Sequence, residues 1–400
     1  MRMMLLTAGT RGDVEPFAAL ARIASDRGHE VRLGVPDHSG VDPSGLDTVS
    51  LEVDFHRLVQ AHGISPWTAV RHFRTEVGPG MRRMLTAAVR ETLAFEPDIV
   101  VHHPKVLTAP AVAEALGIPH VVVEAVPVLT PTRQFPAPGV VTRDLGRFNR
   151  ATYAAVRGAE RMFRRDIDRA CAQLPGGRPD SVAAPAATLL SISPQLLPRP
   201  DDWPASVHLT GSWHSGAPVP ESDATVLEFL RRGPYLVATF GSMASGDPMA
   251  RGRAVVESAR AHGLRTLLLT GWGGLALPDD VRGDLRDDDV LAVPSLPLDA
   301  VLPGAALAVH HGGAGTVHTV ARAGVAHVVV PFLADQPFWG RQLHGRGLAA
   351  APIPQRKLTV ERLTAAIDDA LGCRAAAERV GLEVRKEHGL EAALSVLASC

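Results

Sequence analysis

Short apolar runs alternate with helix-like segments along this chain, and they fall into two sets. In the first set the apolar runs are residues 3–7, 29–35, 98–101 and 120–125, with helix-like periodicity at 17–27 and 109–116. In the second set the runs are 235–240, 265–270, 290–293, 306–310 and 326–330, with helix-like periodicity at 250–261 and 315–323. Short runs ended by Gly or Pro and separated by one helix are typical of parallel strands buried on both faces. The pattern predicts two doubly wound α/β halves.

The segment between the two sets predicts a domain boundary. Residues 193–220 are rich in Pro, Ser and Gly, which interrupt both helix and strand periodicity. A chain of 400 residues is also longer than one hydrophobic core supports. We expect an N-terminal domain at 1–215 and a C-terminal domain at 222–400, with the last helix packing back on the N-terminal domain. In such sheets ligands bind at the carboxyl ends of the strands.

Charge and cysteine content exclude several classes of partner. The formal net charge is −1 without a long block of like charge, so we expect no nucleic-acid partner. The cysteines Cys171, Cys373 and Cys400 lack paired spacing, which predicts neither a disulfide framework nor a zinc site. No apolar run reaches about 18 residues, and the apolar start is too short for a signal peptide. We expect a cytoplasmic monomer or homodimer that does not span a membrane.

A glycine-rich loop in the second half is the strongest local signal. The buried run that ends at His310 passes through His311, Gly312 and Gly313 into a predicted helix that contains Gly315 and Thr316. Glycines let the backbone approach a ligand, and the first helical N–H groups favour an anion. The pattern predicts a diphosphate site, although a lone glycine-rich turn with a capping threonine explains it equally well.

Two further loops strengthen the ligand-binding interpretation. Gly241 and Ser242 follow one predicted strand of this half, and Asp335 and Gln336 follow another. The carboxyl ends of parallel strands lie at one edge of a sheet, so these loops and the glycine-rich loop converge.

At these residues the sequence resembles a known family. Residues 296–336 resemble the nucleotide-sugar signature of the family 1 glycosyltransferases, and residues 9–16, Gly-Thr-Arg-Gly-Asp-Val-Glu-Pro, match the antibiotic and sterol-type members. The resemblance implies a GT-B fold, in which two Rossmann-like domains face each other across a cleft. It also implies that the first domain binds the acceptor and the second binds the nucleotide-sugar donor.

The resemblance assigns donor-binding roles residue by residue. It places His311, Gly313, Gly315, Thr316 and Ser242 on the diphosphate. It places Asp335 and Gln336 on the sugar hydroxyls.

Recognition of the nucleotide base follows a different pattern from that of the plant members. Those stack uracil on a Trp where this chain has Ser295. Base recognition is therefore expected from the backbone at Ser295 and Leu296 or from Trp272, and uridine and thymidine both remain open.

Asp13 is the candidate general base, because glycosyl transfer to a hydroxyl requires a group that accepts the acceptor proton. It lies in the loop after the first predicted strand, just before Pro16, which is expected to begin a helix. Helix capping is its alternative role. Thr10 and Arg11 share this loop and are candidates for contacts with the donor or acceptor.

His102 is the second catalytic candidate. It ends the run 99–101, where plant-type relatives place the residue that orients their base, and it is predicted to line the acceptor pocket or relay a proton. Neither His102–His103 nor His310–His311 predicts a metal site. The first pair has no third ligand at a supporting spacing, and the residues of the second pair, adjacent on a strand, point to opposite faces.

Taken together, these features predict an inverting glycosyltransferase. It moves a sugar from UDP- or TDP-sugar to a small lipophilic acceptor, such as a polyketide, sterol-like or glycopeptide aglycone, without metal or other cofactor. A sugar-nucleotide epimerase and a catalytically silent partner of another transferase are the alternatives. A nicotinamide dehydrogenase is excluded because no G-x-G-x-x-G follows the first predicted strand.

Overall fold

The computed structural model describes residues 1–55, 57, 76–214, 223–241, 243, 246–271, 273–283 and 289–400. Within these residues the strands form two separate parallel sheets, one of seven strands and one of five. The chain divides into two compact units that each contain one sheet. The prediction of two Rossmann-like α/β domains is confirmed.

The first unit contains the seven-stranded sheet in the order β3-β2-β1-β4-β5-β6-β7. Its strands are β1 (Arg2–Leu6), β2 (Glu30–Val35), β3 (Asp47–Ser50), β4 (Ile99–His102), β5 (His120–Glu124), β6 (Ala187–Leu190) and β7 (Val207–Leu209). Its helices are α1 (Arg11–Asp26), α2 (Gly78–Phe95), α3 (Ala109–Leu116), α4 (Asn149–Met162) and α5 (Arg164–Cys171). The three-residue strand β7 lies inside the Pro- and Gly-rich segment and is too short to give a periodic signal.

Burial on both faces explains the continuous apolar runs of this sheet. In β1, Met3 and Leu5 pack in one cluster, and Met4 and Leu6 pack in the cluster on the other face. Side chains alternate along a strand, so a strand covered on both faces has apolar residues at successive positions.

The second unit contains the five-stranded sheet in the order β10-β9-β8-β11-β12. Its strands are β8 (Tyr235–Thr239), β9 (Arg265–Leu269), β10 (Val290–Val293), β11 (Leu307–His310) and β12 (Ala326–Val329). Its helices are α6 (Ala224–Arg231), α7 (Pro248–Ala261), α8 (Asp279–Gly283), α9 (Leu298–Val301), α10 (Ala314–Ala323), α11 (Gln336–Gly345), α12 (Val360–Gly372) and α13 (Arg374–Arg385).

The last helix, α14 (Gly389–Leu397), belongs to the first unit although it follows the second unit in sequence. Its residues Leu390, Leu394 and Leu397 join the buried cluster that contains Phe17 of α1. Residues 195–197 belong to the second unit. Among the described residues no helix is long and apolar enough to cross a membrane.

Helix α1 begins earlier than the sequence predicts. Pro16 was expected at its first position, but the helix starts at Arg11, with Thr10 as N-cap and Pro16 in the interior. The N–H that Pro16 lacks would have bonded to the carbonyl of Gly12. Gly12 lies in the exposed first turn, where water can satisfy that carbonyl, so the helix continues through the proline.

Candidate active site

Each sheet has one position where the chain reverses its direction of winding. In the first sheet β1 and β4 are neighbours, and in the second sheet β8 and β11 are neighbours. The loops that follow such a pair diverge to opposite sides and leave room for a ligand at the carboxyl ends of the strands. Asp13 and His103 of the first unit, and Gly241 and His311 of the second, lie in the segments that follow these strands.

The loop after β1 presents Asp13 as the third residue of α1. Asp13 Oδ2 accepts a hydrogen bond from the Thr10 backbone N–H at 2.9 Å, so this carboxylate does help to cap the helix. Gly9 has a φ of 137°, and a Cβ at that position would lie 2.0 Å from Asp13 Oδ2. A glycine is therefore required beside the carboxylate. Arg11 is exposed and pairs with Glu15 at 3.3 Å instead of with Asp13.

The loop after β4 brings His103 and Lys105 to the second oxygen of Asp13. The His103 backbone N–H donates to the Leu6 carbonyl at 2.8 Å, which holds this loop beside the end of β1. His103 Nε2 lies 3.4 Å from Asp13 Oδ1, and Lys105 Nζ lies 3.5 Å from the same atom.

The hydrogen bond at Nδ1 determines the tautomer of His103. The Lys105 backbone N–H donates to His103 Nδ1 at 3.1 Å, so Nδ1 is an acceptor without a proton. In the neutral ring the proton then lies on Nε2, which points at Asp13. Burial lowers the pKa of His103, so the ring is neutral at pH 7.

Opposing effects act on the pKa of Asp13. Burial raises it, but the charge of Lys105 and the hydrogen bond from His103 outweigh burial and lower the pKa well below its ordinary value. About a quarter of the side chain stays exposed, at 27%. Asp13 is therefore an ionised carboxylate that solvent or a ligand can reach.

His102 lies away from this carboxylate. It is buried, its Nε2 lies 3.1 Å from His120 Nδ1, and its Nδ1 lies 3.3 Å from the His103 carbonyl. Burial and the neighbouring His120 lower the pKa of His102 to about 3. The structure thus brings His103, and not His102, to Asp13. The sequence predicted a catalytic role for His102, whereas the histidine beside Asp13 is its neighbour His103.

In the second unit, His311 packs between two glycines of neighbouring loops. A Cβ at Gly313 would lie 2.5 Å from His311 Nε2, and a Cβ at Gly241 would lie 3.3 Å from its Cε1. Burial lowers the pKa of His311 to about 4, so the ring is neutral at pH 7. Its Nδ1 is buried and has no hydrogen-bond partner among the described residues.

The helix after His311 has an open N-terminus. Helix α10 begins at Ala314 with Gly313 as N-cap, and no side chain caps it. Its first N–H groups therefore remain available, and they favour an anion. Gly315 is exposed and Thr316 is half-buried in this first turn.

A buried histidine pair supports the glycine-rich loop from behind. The Gly312 N–H donates to His310 Nδ1 at 3.1 Å, and His310 Nε2 lies 2.9 Å from His327 Nδ1. The proton of His310 therefore lies on Nε2 and is donated to His327. This pair fixes the backbone of the loop at Gly312, where φ is 90°.

The loop after β12 places its two candidate residues in different surroundings. Gln336 is 4% exposed, and its Oε1 accepts from the backbone N–H groups of Phe332 and Leu333 at 2.8 and 3.1 Å. Its Nε2 contacts the Met243 sulfur at 3.4 Å. Gln336 therefore fixes the loop, whereas Asp335 is half-buried at the N-cap of α11.

Ser295 is exposed and Leu296 is half-buried after β10. The candidates Ser242 and Trp272 lie outside the described residues. Among the residues that the structure does describe, no group of three or more His, Cys, Asp or Glu is arranged to hold a metal ion.

Both ends of the chain match known family profiles. Residues 3–133 match the profile described as the glycosyltransferase family 28 N-terminal domain. Residues 275–391 match the profile described as the erythromycin biosynthesis protein CIII-like C-terminal domain. These two regions carry the Asp13 loop and the His311 loop respectively.

Several known proteins are similar over nearly the whole chain. An O-mycaminosyltylonolide 6-deoxyallosyltransferase of Streptomyces fradiae is 33% identical over 98% of this chain and 95% of its own length. A sterol 3-beta-glucosyltransferase of Arabidopsis thaliana is 29% identical over 98% of this chain, which spans only 64% of that protein. The solved structure of the Streptomyces glycosyltransferase SsfS6 with thymidine diphosphate has a TM-score of 0.61, 21% identity and full coverage of both chains.

Proposed function

From the premise that this chain belongs to the GT-B glycosyltransferases that include macrolide and sterol-type enzymes, we propose the reaction that it catalyses. It transfers a sugar from a UDP- or TDP-sugar to a hydroxyl of a small lipophilic acceptor, with inversion at the anomeric carbon. The observation that carries this proposal is the set of contacts around Asp13, an ionised and accessible carboxylate at the switch point of the first sheet.

The second unit supplies the groups that a departing diphosphate requires. The uncapped N-terminus of α10 offers backbone N–H donors, and His311 lies beside it as a neutral imidazole. Preorganised donors stabilise negative charge that grows on the leaving oxygen as the glycosidic bond breaks. The half-buried Asp335 is the proposed reader of the sugar hydroxyls, and Gln336 positions its loop. Binding of thymidine diphosphate by SsfS6, a protein of this fold, supports a nucleotide donor.

In the proposed reaction the acceptor oxygen attacks the anomeric carbon while the bond to the diphosphate breaks. The hydroxyl proton moves to Asp13, and the electron pair of the broken bond stays on the diphosphate. A carboxylate of low pKa is a weak base towards a free alcohol. The oxygen becomes strongly acidic as it bonds to carbon, so transfer late in the attack remains favourable.

His103 and Lys105 are the proposed positioning residues for this base. The tautomer of His103 is fixed by the Lys105 backbone, so its Nε2–H holds Asp13 Oδ1. Lys105 keeps Asp13 ionised before the reaction and favours release of the proton afterwards. We propose that no metal takes part, so enzyme dialysed against EDTA should retain its activity.

A panel of UDP- and TDP-sugars tests this proposal. A ligand that binds only the folded state raises the melting temperature, so the panel identifies the donor. With that donor and a set of lipophilic acceptors, proton NMR of the product reads the anomeric configuration. Inversion supports a single displacement, and retention would refute the role given to Asp13. Donor binding without transfer or hydrolysis would indicate a silent partner.

A further inference from the structure

One exposed surface of the first unit combines apolar side chains with unpaired arginines. It comprises residues 140–169, which contain a 3-10 turn (Gly146–Phe148), α4 and the start of α5. Phe148 and Met162 are 58% and 59% exposed, and Leu145 and Val140 are 40% and 42% exposed. No residue with a role in the proposed transfer reaction lies in this region, which is called the arginine-rich surface below.

The two most exposed apolar residues lie on one face of α4. Phe148 directly precedes the helix and Met162 ends it, so 14 positions separate them. At 3.6 residues per turn these positions differ by about 40° around the axis and lie about 21 Å apart. The exposed residues Ala151 and Ala155 lie on the same face between them. Together the four residues form an apolar strip.

Buried contacts on the other side of α4 hold this strip towards solvent. Asn149 and Tyr153 are each 1% exposed. Asn149 Nδ2 donates to the Arg133 carbonyl at 3.0 Å and to Asp144 Oδ1 at 2.7 Å. Because Asn149 anchors the first turn, the helix cannot rotate to bury Phe148 without breaking these bonds.

The charges around the strip are mostly positive. Residues 140–169 contain eight arginines and four carboxylates, in a chain whose net charge is −1. Asp166 and Asp168 are paired with Arg82 and Arg178. In the described part of the chain no ion pair engages the exposed side chains of Arg143, Arg161, Arg164, Arg165 and Arg169.

We propose that the arginine-rich surface docks on an anionic lipid bilayer, with the apolar strip at the headgroup boundary and the arginines on lipid phosphates. Among anionic partners, a bilayer can bind both the apolar strip and the arginines. An apolar helix face and flanking cations bind cooperatively at a lipid–water interface. A nucleic-acid backbone would neutralise the arginines but leave Phe148 and Met162 in water. The surface would hold the enzyme beside the phase in which lipophilic molecules accumulate.

Sedimentation with vesicles tests this inference on the intact chain. We compare vesicles of phosphatidylcholine alone with vesicles in which about a third of the lipid is phosphatidylglycerol. Binding is expected only to the anionic vesicles, and it should weaken about 10-fold or more between about 0.1 and 0.5 M salt. Equal binding to both vesicle types, or no binding to either, would overturn the proposal.

Three variants separate the two components of the surface. Phe148→Ser with Met162→Ser should lower binding to anionic vesicles about 10-fold or more, and so should Arg161→Gln with Arg164→Gln and Arg165→Gln. Leu382→Ser removes an equally exposed apolar side chain, 53% exposed on α13, and should bind like the unsubstituted protein.

These side chains are exposed, so melting temperatures should be unchanged in all three variants. If the apolar double variant bound normally while the arginine variant did not, the contact would be purely electrostatic. The lipid proposal would then give way to an acidic protein or nucleic-acid partner. Transfer activity in solution should be the same in every variant, so this test is independent of the proposed reaction.

Discussion

Replacement of Asp13 by Asn separates the two roles that the structure gives this side chain. Asp13 Oδ2 accepts from the Thr10 N–H, and Oδ1 faces His103 Nε2 and Lys105 Nζ. Asparagine has only one acceptor atom in place of these two. His103 cannot adapt by moving its proton, because Lys105 N–H occupies Nδ1. The amide group therefore leaves either the cap donor or the His103 donor unpaired.

The two consequences of this substitution differ in size and in kind. A hydrogen bond to a charged group is worth about 1.5–3 kcal/mol, and partial exposure of Asp13 places the loss near the lower end. Such a loss leaves a domain of ordinary stability folded. Loss of a general base lowers the rate about 10²–10⁴-fold, or about 3–5 kcal/mol of barrier. Turnover should therefore fall much further than stability.

The assay measures kcat per folded molecule, with the folded fraction taken from thermal unfolding and donor affinity from calorimetry. We expect Asp13→Asn to bind the donor nearly normally and to lose about 10²-fold or more in kcat. Asp223→Asn is the matched control, because Asp223 caps α6 by accepting from Thr225 N–H at 2.7 Å and is exposed. A kcat of Asp13→Asn within about threefold of the unsubstituted enzyme would make Asp13 a cap only.

Four further substitutions test the remaining site residues. His311→Ala should weaken binding of the nucleoside diphosphate and slow transfer about 10-fold or more, and unchanged calorimetric affinity would remove His311 from the site. Asp335→Ala should change which sugar is preferred. Gln336→Ala should weaken the binding of all donors alike, because the loop loses the hydrogen bonds that hold it. Competition assays between sugar nucleotides distinguish these two results. Lys105→Met should raise the pKa of Asp13, which must be ionised to act. The acid limb of the kcat/KM profile should then move to higher pH while the alkaline limb stays in place.

The fold could be predicted from the sequence because parallel strands covered on both faces leave a continuous apolar signal. The run 235–240 differs from β8 by a single residue, and 290–293 coincides with β10. Such signals report burial, which depends on composition over several residues. The start of α1 depended instead on whether water reaches the Gly12 carbonyl, and composition does not encode that.

The structural role of Gln336 could not be predicted from the sequence either. Ala334, two residues before Gln336, has a φ of 54°, and in this turn the N–H groups of Phe332 and Leu333 donate to Gln336 Oε1. A buried amide oxygen satisfies both groups. An adjacent Asp and Gln after a strand predict polar contacts without showing whether each contact is with a ligand or with the loop.

The sequence contains a feature that distinguishes His103 from His102, because the two halves carry histidines at equivalent positions. Each half carries two adjacent histidines at the end of the strand beside its first strand, His102–His103 and His310–His311. In both, the first histidine is the last strand residue and bonds to a histidine of the next strand, His120 or His327. The histidine that follows the strand reaches the neighbouring loop, as His103 does at Asp13 and His311 does at Gly241. Because the family resemblance places His311 on the donor diphosphate, the equivalent position in the first half selects His103. The equivalent histidine positions in the two halves thus identify His103 as the residue that holds the proposed base.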